Sequence, residues 1–166
     1  MLRRLFLGAM ALVLAGCAYG PKEQPTRPPI VFVHGNGDSS ANWQTTIWRF
    51  ETNGWPRDRL FALQQPYPLA RDDDSVAQPG RSSSAQSMAF LKTEVERVLR
   101  ITGAKQVVLI GNSRGGLTIR NYIQTGGGTS TVSHAILGGT PNHGVWATPG
   151  QREGSEFSGT GAFIKG

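Results

Sequence analysis

The sequence predicts an α/β protein in which a parallel sheet is built from right-handed β-α-β crossovers. Apolar runs rich in β-branched residues alternate along the chain with longer segments whose apolar residues recur at helical spacing. Two of the apolar runs lead directly into glycine-rich turns, at residues 34–37 and 111–116. Because glycine punctuates regular elements, the pattern predicts four strands separated by three helices.

Four apolar runs predict the strands. Residues 29–33 (PIVFV) form a continuous apolar stretch bounded by prolines and a glycine-rich turn, which is typical of a strand buried on both faces. We therefore expect this strand to lie in the centre of a parallel sheet. The other predicted strands are residues 59–64, 105–110 and 132–137.

Three segments with apolar residues three or four positions apart predict the helices. In the strongest of them, residues 88–99, serines just before the segment offer N-caps and Gly103 ends the helix. The other predicted helices are residues 41–52 and residues 115–124. The apolar residues expected on one face of the first helix are Trp43, Ile47, Trp48 and Phe50.

The N-terminus predicts an export signal. Two arginines precede an apolar run, residues 5–16, that is too short to span a bilayer. Residues 14–17 (LAGC) resemble the lipobox of bacterial lipoproteins, which implies that residues 1–16 are a signal peptide and that Cys17 is acylated. An ordinary signal peptide with an incidental cysteine and a buried N-terminal helix are the alternatives.

The composition limits which domain organisation, partners and cofactors the chain can have. Residues 17–28, rich in proline and polar groups, predict a tether, and residues 29–166 predict a single domain. Cys17 is the only cysteine, which excludes a disulfide within the chain and a cysteine metal cluster. The net charge is +6, but the basic residues are spread along the chain and form no basic run, so nucleic-acid binding is not supported. No cofactor or metal is implied, because the histidines lack zinc-ligand spacing.

The segment GNSRGG, residues 111–116, follows the third predicted strand and precedes the third helix. In that position a G-x-S-x-G pattern predicts a nucleophile elbow, with Ser113 on a tight turn above the sheet. The glycines leave room for the crowded turn, and the following helix directs its N-terminal amides and positive dipole end at a developing oxyanion. A glycine-rich turn that binds phosphate or only connects two elements is the alternative.

The segment HGNGD, residues 34–38, follows the first strand. Hydrolases with a nucleophile elbow place an oxyanion-hole amide in the loop after this early strand. We therefore expect the backbone amides of Asn36 and Arg114 to bind the oxyanion. Asp38 is expected to be a solvated turn residue, with bracing of the loop as the alternative.

The order of the segments VFVHGNG, GWPRDRLFAL, TGAKQVVLIGNSRGG and AILGGTPNHG resembles the small bacterial lipases of the lipase class 2 family, over residues 29–144. The HGNGD loop is also similar to that of some extracellular polyhydroxyalkanoate depolymerases. The resemblance implies an α/β-hydrolase core, with Ser113 as nucleophile and the Arg114 amide in the oxyanion hole. Such lipases usually carry His and Met or Leu beside the serine, so the charge of Arg114 is expected to alter the acyl pocket.

A serine nucleophile in this class is followed by its triad acid and then by the histidine base. His134 falls within a predicted strand and is expected to be a packed or edge residue, while His143 lies in the next turn and is the less favoured candidate for the base. Glu153 and Glu156 follow both histidines, so the order fails. Three consecutive aspartates, Asp72, Asp73 and Asp74, are expected to be solvated in a long polar loop at residues 65–84.

The resemblance therefore implies that the acid and the histidine lie on strands beyond residue 166. We expect a truncated α/β-hydrolase core, missing its C-terminal strands, that has little activity by itself. The predicted function is that of an esterase or lipase acting through an acyl-serine, exported and anchored in the bacterial envelope through Cys17, or otherwise secreted. Its partners are an ester or lipid substrate and the membrane. The alternatives are a non-catalytic lipid-anchored binding protein on a decayed hydrolase fold, a polyester depolymerase, and an enzyme for thioesters or amides.

Overall fold

The computed structural model describes residues 27–145, 154–159 and 164. Its main feature is a four-stranded parallel sheet, whose strands lie side by side in the order Leu60–Ala62, Ile30–Val33, Val107–Asn112 and Val132–Gly138. Each of the four predicted strands is present, so the predicted parallel β-α-β architecture is confirmed. The strands are β1 (Ile30–Val33), β2 (Leu60–Ala62), β5 (Val107–Asn112) and β6 (Val132–Gly138).

Three helices connect the strands of the sheet, as predicted. They are α1 (Gln44–Thr52), α2 (Ser84–Thr102) and α3 (Arg114–Thr125). The start of α2 is fixed by a capping box, in which the Ser83 hydroxyl accepts from the Gln86 amide at 3.1 Å and the Gln86 side chain accepts from the Ser83 amide at 2.9 Å. The helix ends at Gly103, whose φ of 66° is accessible to glycine without strain.

Strand β1 is buried on both faces because its alternate side chains enter two separate cores. Val31 and Val33 pack with residues from α2 and α3, while Ile30 and Phe32 pack under α1. The second core is aromatic, with rings of Trp43, Phe50 and Trp55 gathered on and around Phe32. The central position predicted for this strand is therefore confirmed.

Two sequence expectations for this part of the chain are wrong. Trp48 does not share the buried face of α1, since its side chain is 57% exposed. The stretch predicted as a polar loop contains two short parallel strands, β3 (Leu69–Ala70) and β4 (Arg81–Ser82), which form a second small sheet. Two-residue strands have no periodicity that a sequence pattern can register.

The predicted signal peptide, Cys17 and nearly all of the predicted tether lie outside the described residues. In the part of the chain that the structure describes, no helix has both the length and the apolar character needed to cross a membrane.

Candidate active site

Ser113 occupies the single residue between β5 and α3. Its backbone has φ 51° and ψ −122°, and it is the one non-glycine residue with positive φ in the described ranges. Such a conformation is costly for a residue with a β-carbon, and residues held in it cluster at functional sites. The strained turn is the geometry expected of a nucleophile elbow.

The glycines around Ser113 are required by close packing of the turn. A β-carbon on Gly111 would lie 2.6 Å from Ile119 Cδ1 and 2.8 Å from the Gly115 carbonyl carbon. A β-carbon on Gly115 would meet the Val33 carbonyl oxygen at the end of β1. The G-x-S-x-G spacing therefore lets β5, α3 and the end of β1 approach one another around the serine.

The loop after β1, residues 34–38, lies against this turn. A β-carbon on Gly35 would be 3.2 Å from Ser113 Cβ and 3.1 Å from Asn112 Oδ1, so glycine allows the loop to reach the serine. We call residues 34–38 the oxyanion loop, after the role predicted for it.

The buried ring of His34 links the oxyanion loop to the backbone that follows β2. The ring donates from Nδ1 to the Gly35 carbonyl at 2.9 Å and accepts at Nε2 from the Gln65 amide at 3.2 Å. A carbonyl only accepts and a backbone amide only donates, so this pair of bonds fixes the neutral Nδ1–H tautomer. Both ring nitrogens are used, which leaves His34 no free nitrogen for Ser113.

Further contacts brace the oxyanion loop against the small sheet. The Asn36 side chain accepts from the Ala70 amide at 2.6 Å, and the Gly37 amide donates to the Pro68 carbonyl at 3.1 Å. Asp38 accepts from the Ser39 amide and from the Asn42 side chain, so its main role is the bracing that the sequence left as the alternative. Asn36 and Ser113 therefore both lie at the carboxyl end of the sheet, on the neighbouring loops that follow β1 and β5.

Arg114 begins α3, and its side chain is fully buried. The guanidinium makes two bonds to Glu156, at 2.5 Å from Nε and 3.0 Å from Nη2. It also donates to the Pro68 carbonyl at 3.1 Å, to the Ser82 hydroxyl at 3.0 Å and to the Ser82 carbonyl at 2.8 Å. The charge is therefore buried and engaged by other groups of the protein, so the expected effect of this charge on the acyl pocket stays a prediction.

Glu156 is the charged partner that sequence reasoning missed. It is 3% exposed, and burial raises the pKa of its carboxyl, whereas hydrogen bonding to Arg114 and the charge of Arg114 lower it and the charge of Asp74 raises it further. A buried arginine requires a counter-charge. Nothing in the sequence shows which of the acids supplies it.

The remaining candidate residues do not assemble around Ser113. His134 and His143 are both exposed, and within the described residues neither ring makes a hydrogen bond. Glu153 lies outside the described residues. Asp74 is not simply solvated as predicted, because it accepts from the amide and the hydroxyl of Ser84 in the first turn of α2 at 2.7 and 2.5 Å. No group of three or more metal-binding side chains occurs in the described ranges.

A polar cavity of about 180 Å³ lies beside the oxyanion loop. Residues of that loop, of the small sheet and its flanks, and of the segment 154–159 line it. Its lining residues are Asn36, Ala70, Arg71, Asp72, Arg81, Ser155 and Phe157.

Comparisons with known proteins show the family to which the chain belongs. Residues 27–150 match the family model described as Lipase (class 2). A triacylglycerol lipase from Vibrio cholerae is 38% identical over 98 residues, which cover 57% of this chain and 27% of that protein. The matched chain therefore spans about a quarter of that relative's length.

Solved structures share the fold. A Bacillus licheniformis lipase in its mature form has a TM-score of 0.57 at 25% identity, covering 87% of this chain and 59% of the other. A monoacylglycerol lipase from Paleococcus ferrophilus has a TM-score of 0.56 at 22% identity, covering 76% and 44% of the two chains. These likenesses confirm the predicted α/β-hydrolase architecture.

Proposed function

Because the chain belongs to the lipase class 2 family, we propose that it is a serine carboxylic-ester hydrolase that acts through an acyl-serine intermediate on Ser113. The observation that carries the proposal is the strained backbone of Ser113, held between β5 and α3 by glycines that no larger residue could replace without movement. A decayed hydrolase used only for binding would have no need to keep this strain.

In the proposed reaction, Ser113 Oγ attacks the ester carbonyl carbon while a general base removes the hydroxyl proton. The carbonyl oxygen becomes an oxyanion, which accepts from the amides of Asn36 and Arg114. Collapse of the tetrahedral intermediate breaks the bond to the alcohol, which leaves with the proton held by the base. Water then attacks the acyl-serine by the same steps and releases the carboxylic acid.

Two features support the oxyanion assignment. The Arg114 amide is the first in α3, so it has no acceptor within the helix and lies at the positive end of the helix dipole. Asn36 is the next residue after Gly35, which abuts Ser113. The base is not assigned to His34, because both nitrogens of that ring are bonded within the fold.

We also propose a preference for esters with short or polar acyl groups. The cavity next to the oxyanion loop is lined mainly by polar and charged side chains, including Arg71 and Arg81. A long alkyl chain gains free energy only where it contacts apolar surface. Turnover of nitrophenyl esters of increasing chain length would test this, and faster turnover of the palmitate than of the butyrate would contradict it.

The experiment that tests the main proposal is labelling with a fluorophosphonate, using the protein expressed from its full reading frame. We expect stoichiometric labelling of the wild type and none of Ser113→Ala, with esterase turnover reduced by about 10⁴-fold or more. Ser130→Ala, at an exposed serine in the turn after α3, is the matched control and should label normally. A folded wild-type protein that is not labelled would contradict the proposal and favour the binding-protein alternative.

Membrane anchoring through Cys17 is proposed from the lipobox-like residues 14–17. We expect radiolabelled palmitate to be incorporated into the wild type expressed in bacteria and not into Cys17→Ser. No incorporation into either protein would favour an ordinary signal peptide and a secreted enzyme, and equal incorporation into both would contradict acylation of Cys17.

A further inference from the structure

Three segments of the chain meet at the Arg114 guanidinium. Arg114 itself begins α3. Pro68 and Ser82 belong to the connection between β2 and α2, and Glu156 belongs to the segment after β6, 42 residues beyond Arg114. We call these four residues the guanidinium cluster. The cluster lies one residue from the proposed nucleophile.

All five N–H groups of the guanidinium are used in the cluster. Nε donates to Glu156, Nη1 donates to Pro68 and to the Ser82 hydroxyl, and Nη2 donates to the Ser82 carbonyl and to Glu156. Because an arginine has five donors in a rigid planar fork, this set leaves no donor for a substrate and defines the plane of the group. The side chain therefore acts as a fixed anchor for its own backbone.

Glu156 is distinct from the other partners because it alone carries charge. Its two oxygens accept side by side from Nε and Nη2, a bidentate geometry that fixes orientation as well as distance. The Arg114 cation lies in the first turn of α3, at the positive end of the helix dipole, so the two positive charges repel each other. The carboxylate offsets both positive contributions.

We propose that Glu156 is a positioning residue for the oxyanion-binding amide of Arg114, acting through the buried side chain of that same residue. The inference depends on the proposed esterase function. Displacement of the guanidinium would be transmitted to the first amide of α3, where a shift of a few tenths of an ångström changes a hydrogen bond to the transition state. Glu156 is 3% exposed and both of its oxygens accept from Arg114, so it acts through that side chain and not on the substrate.

The primary test is Glu156→Gln in the protein expressed from its full reading frame. Glutamine preserves the size of the side chain but turns an N–H₂ group toward the guanidinium donors. We expect kcat and the rate of phosphonylation to fall by about 10-fold or more, with KM within about twofold, because removing an oxyanion donor outright costs about 10² to 10³ in kcat. Glu156→Asp, which restores the charge on a shorter side chain, should recover part of the loss.

Two further variants separate positioning from general stability. Val98→Ala, on the buried face of α2, lowers stability without contacting the cluster, and at equal folded fraction it should keep wild-type kcat. The double variant Arg114→Met with Glu156→Met replaces the ion pair by apolar side chains, an exchange that proteins often tolerate. It should fold and still show the reduced kcat.

The outcomes are distinguishable. A wild type that is not labelled by the fluorophosphonate contradicts the proposed function itself. A labelled wild type with equal labelling rates in Glu156→Gln and Val98→Ala contradicts only the positioning role. A faster reaction in Glu156→Gln would also overturn it, because the exposed charge of Arg114 would then be assisting the oxyanion directly.

Discussion

Strands β5 and β6 are parallel neighbours, yet their surroundings differ. In β5 the side chains of Val107 and Leu109 are fully buried, and the strand leads into the packed turn at Ser113. In β6 the residues from Ser133 to Ile136 are all exposed. The difference follows from position: β5 has β1 on its other side, whereas β6 is the last strand of the sheet within the described residues.

The contrast shows where this fold tolerates change. The buried side chains of β5, Val107 and Leu109, are surrounded by protein, so a change in their size or charge must be absorbed by neighbours. Side chains of β6 can relax into solvent. Pairs of matched substitutions, one at a buried position and one at a more open position, measure that difference.

Arg114→Met should give the largest loss of stability, about 3–5 kcal/mol at neutral pH, because it leaves the buried Glu156 carboxylate without its partner. Arg120→Met, on the same helix, removes hydrogen bonds to Asn142 and should cost less than about 1 kcal/mol. Urea denaturation of the two variants and the wild type measures these losses.

The loss in Arg114→Met should depend on pH. Burial raises the pKa of Glu156 in the folded state, and removing Arg114 removes the opposing effect. The folded state then binds more protons than the unfolded state between the ordinary pKa and the raised one, so stability falls as pH rises through that range. The destabilisation should be smaller near pH 5 than near pH 7, by about 1 kcal/mol or more. Equal losses at both would show that Glu156 does not titrate in this range.

Alanine substitution of one large apolar residue on each strand should give the next largest contrast. Leu109 of β5 is fully buried, so Leu109→Ala should cost about 2–5 kcal/mol. Ile136 of β6 is 54% exposed, and Ile136→Ala should cost less than about 1 kcal/mol. Similar shifts in the urea midpoint for both variants would mean that β6 is covered by protein that the described residues do not include.

Two glycines give the smallest contrast. A β-carbon on Gly111, in β5, would lie 2.6 Å from Ile119 Cδ1, whereas one on Gly138, in β6, would have only the Gly111 carbonyl oxygen at 3.7 Å. Gly111→Ala should therefore lose about 1–3 kcal/mol. Gly138→Ala should stay within about 0.5 kcal/mol of the wild type. Thermal unfolding of the two variants checks this, and a larger effect at Gly138 would reverse the comparison.

The sequence predicted elements that rest on a repeating pattern of residues. It did not predict features that depend on a single contact between distant residues. The buried character of β1 and the presence of α2 follow from an apolar run and from helical spacing, and the turn at Ser113 follows from its glycines. The small sheet of β3 and β4 was missed because two residues per strand form no pattern. Glu156 was missed because it reaches Arg114 across 42 residues, and the choice between it and other acids depends on the path of the chain.

One structural feature bears on how the three histidines would respond to chemical modification. The His34 ring is buried and bonded at both nitrogens, whereas His134 and His143 are exposed. A reagent that acylates imidazole nitrogen would therefore modify the two exposed rings and spare His34 for as long as β1 and β2 stay folded. Carbethoxylation at His34 would report the opening of the sheet core, which makes this residue an intrinsic probe of unfolding.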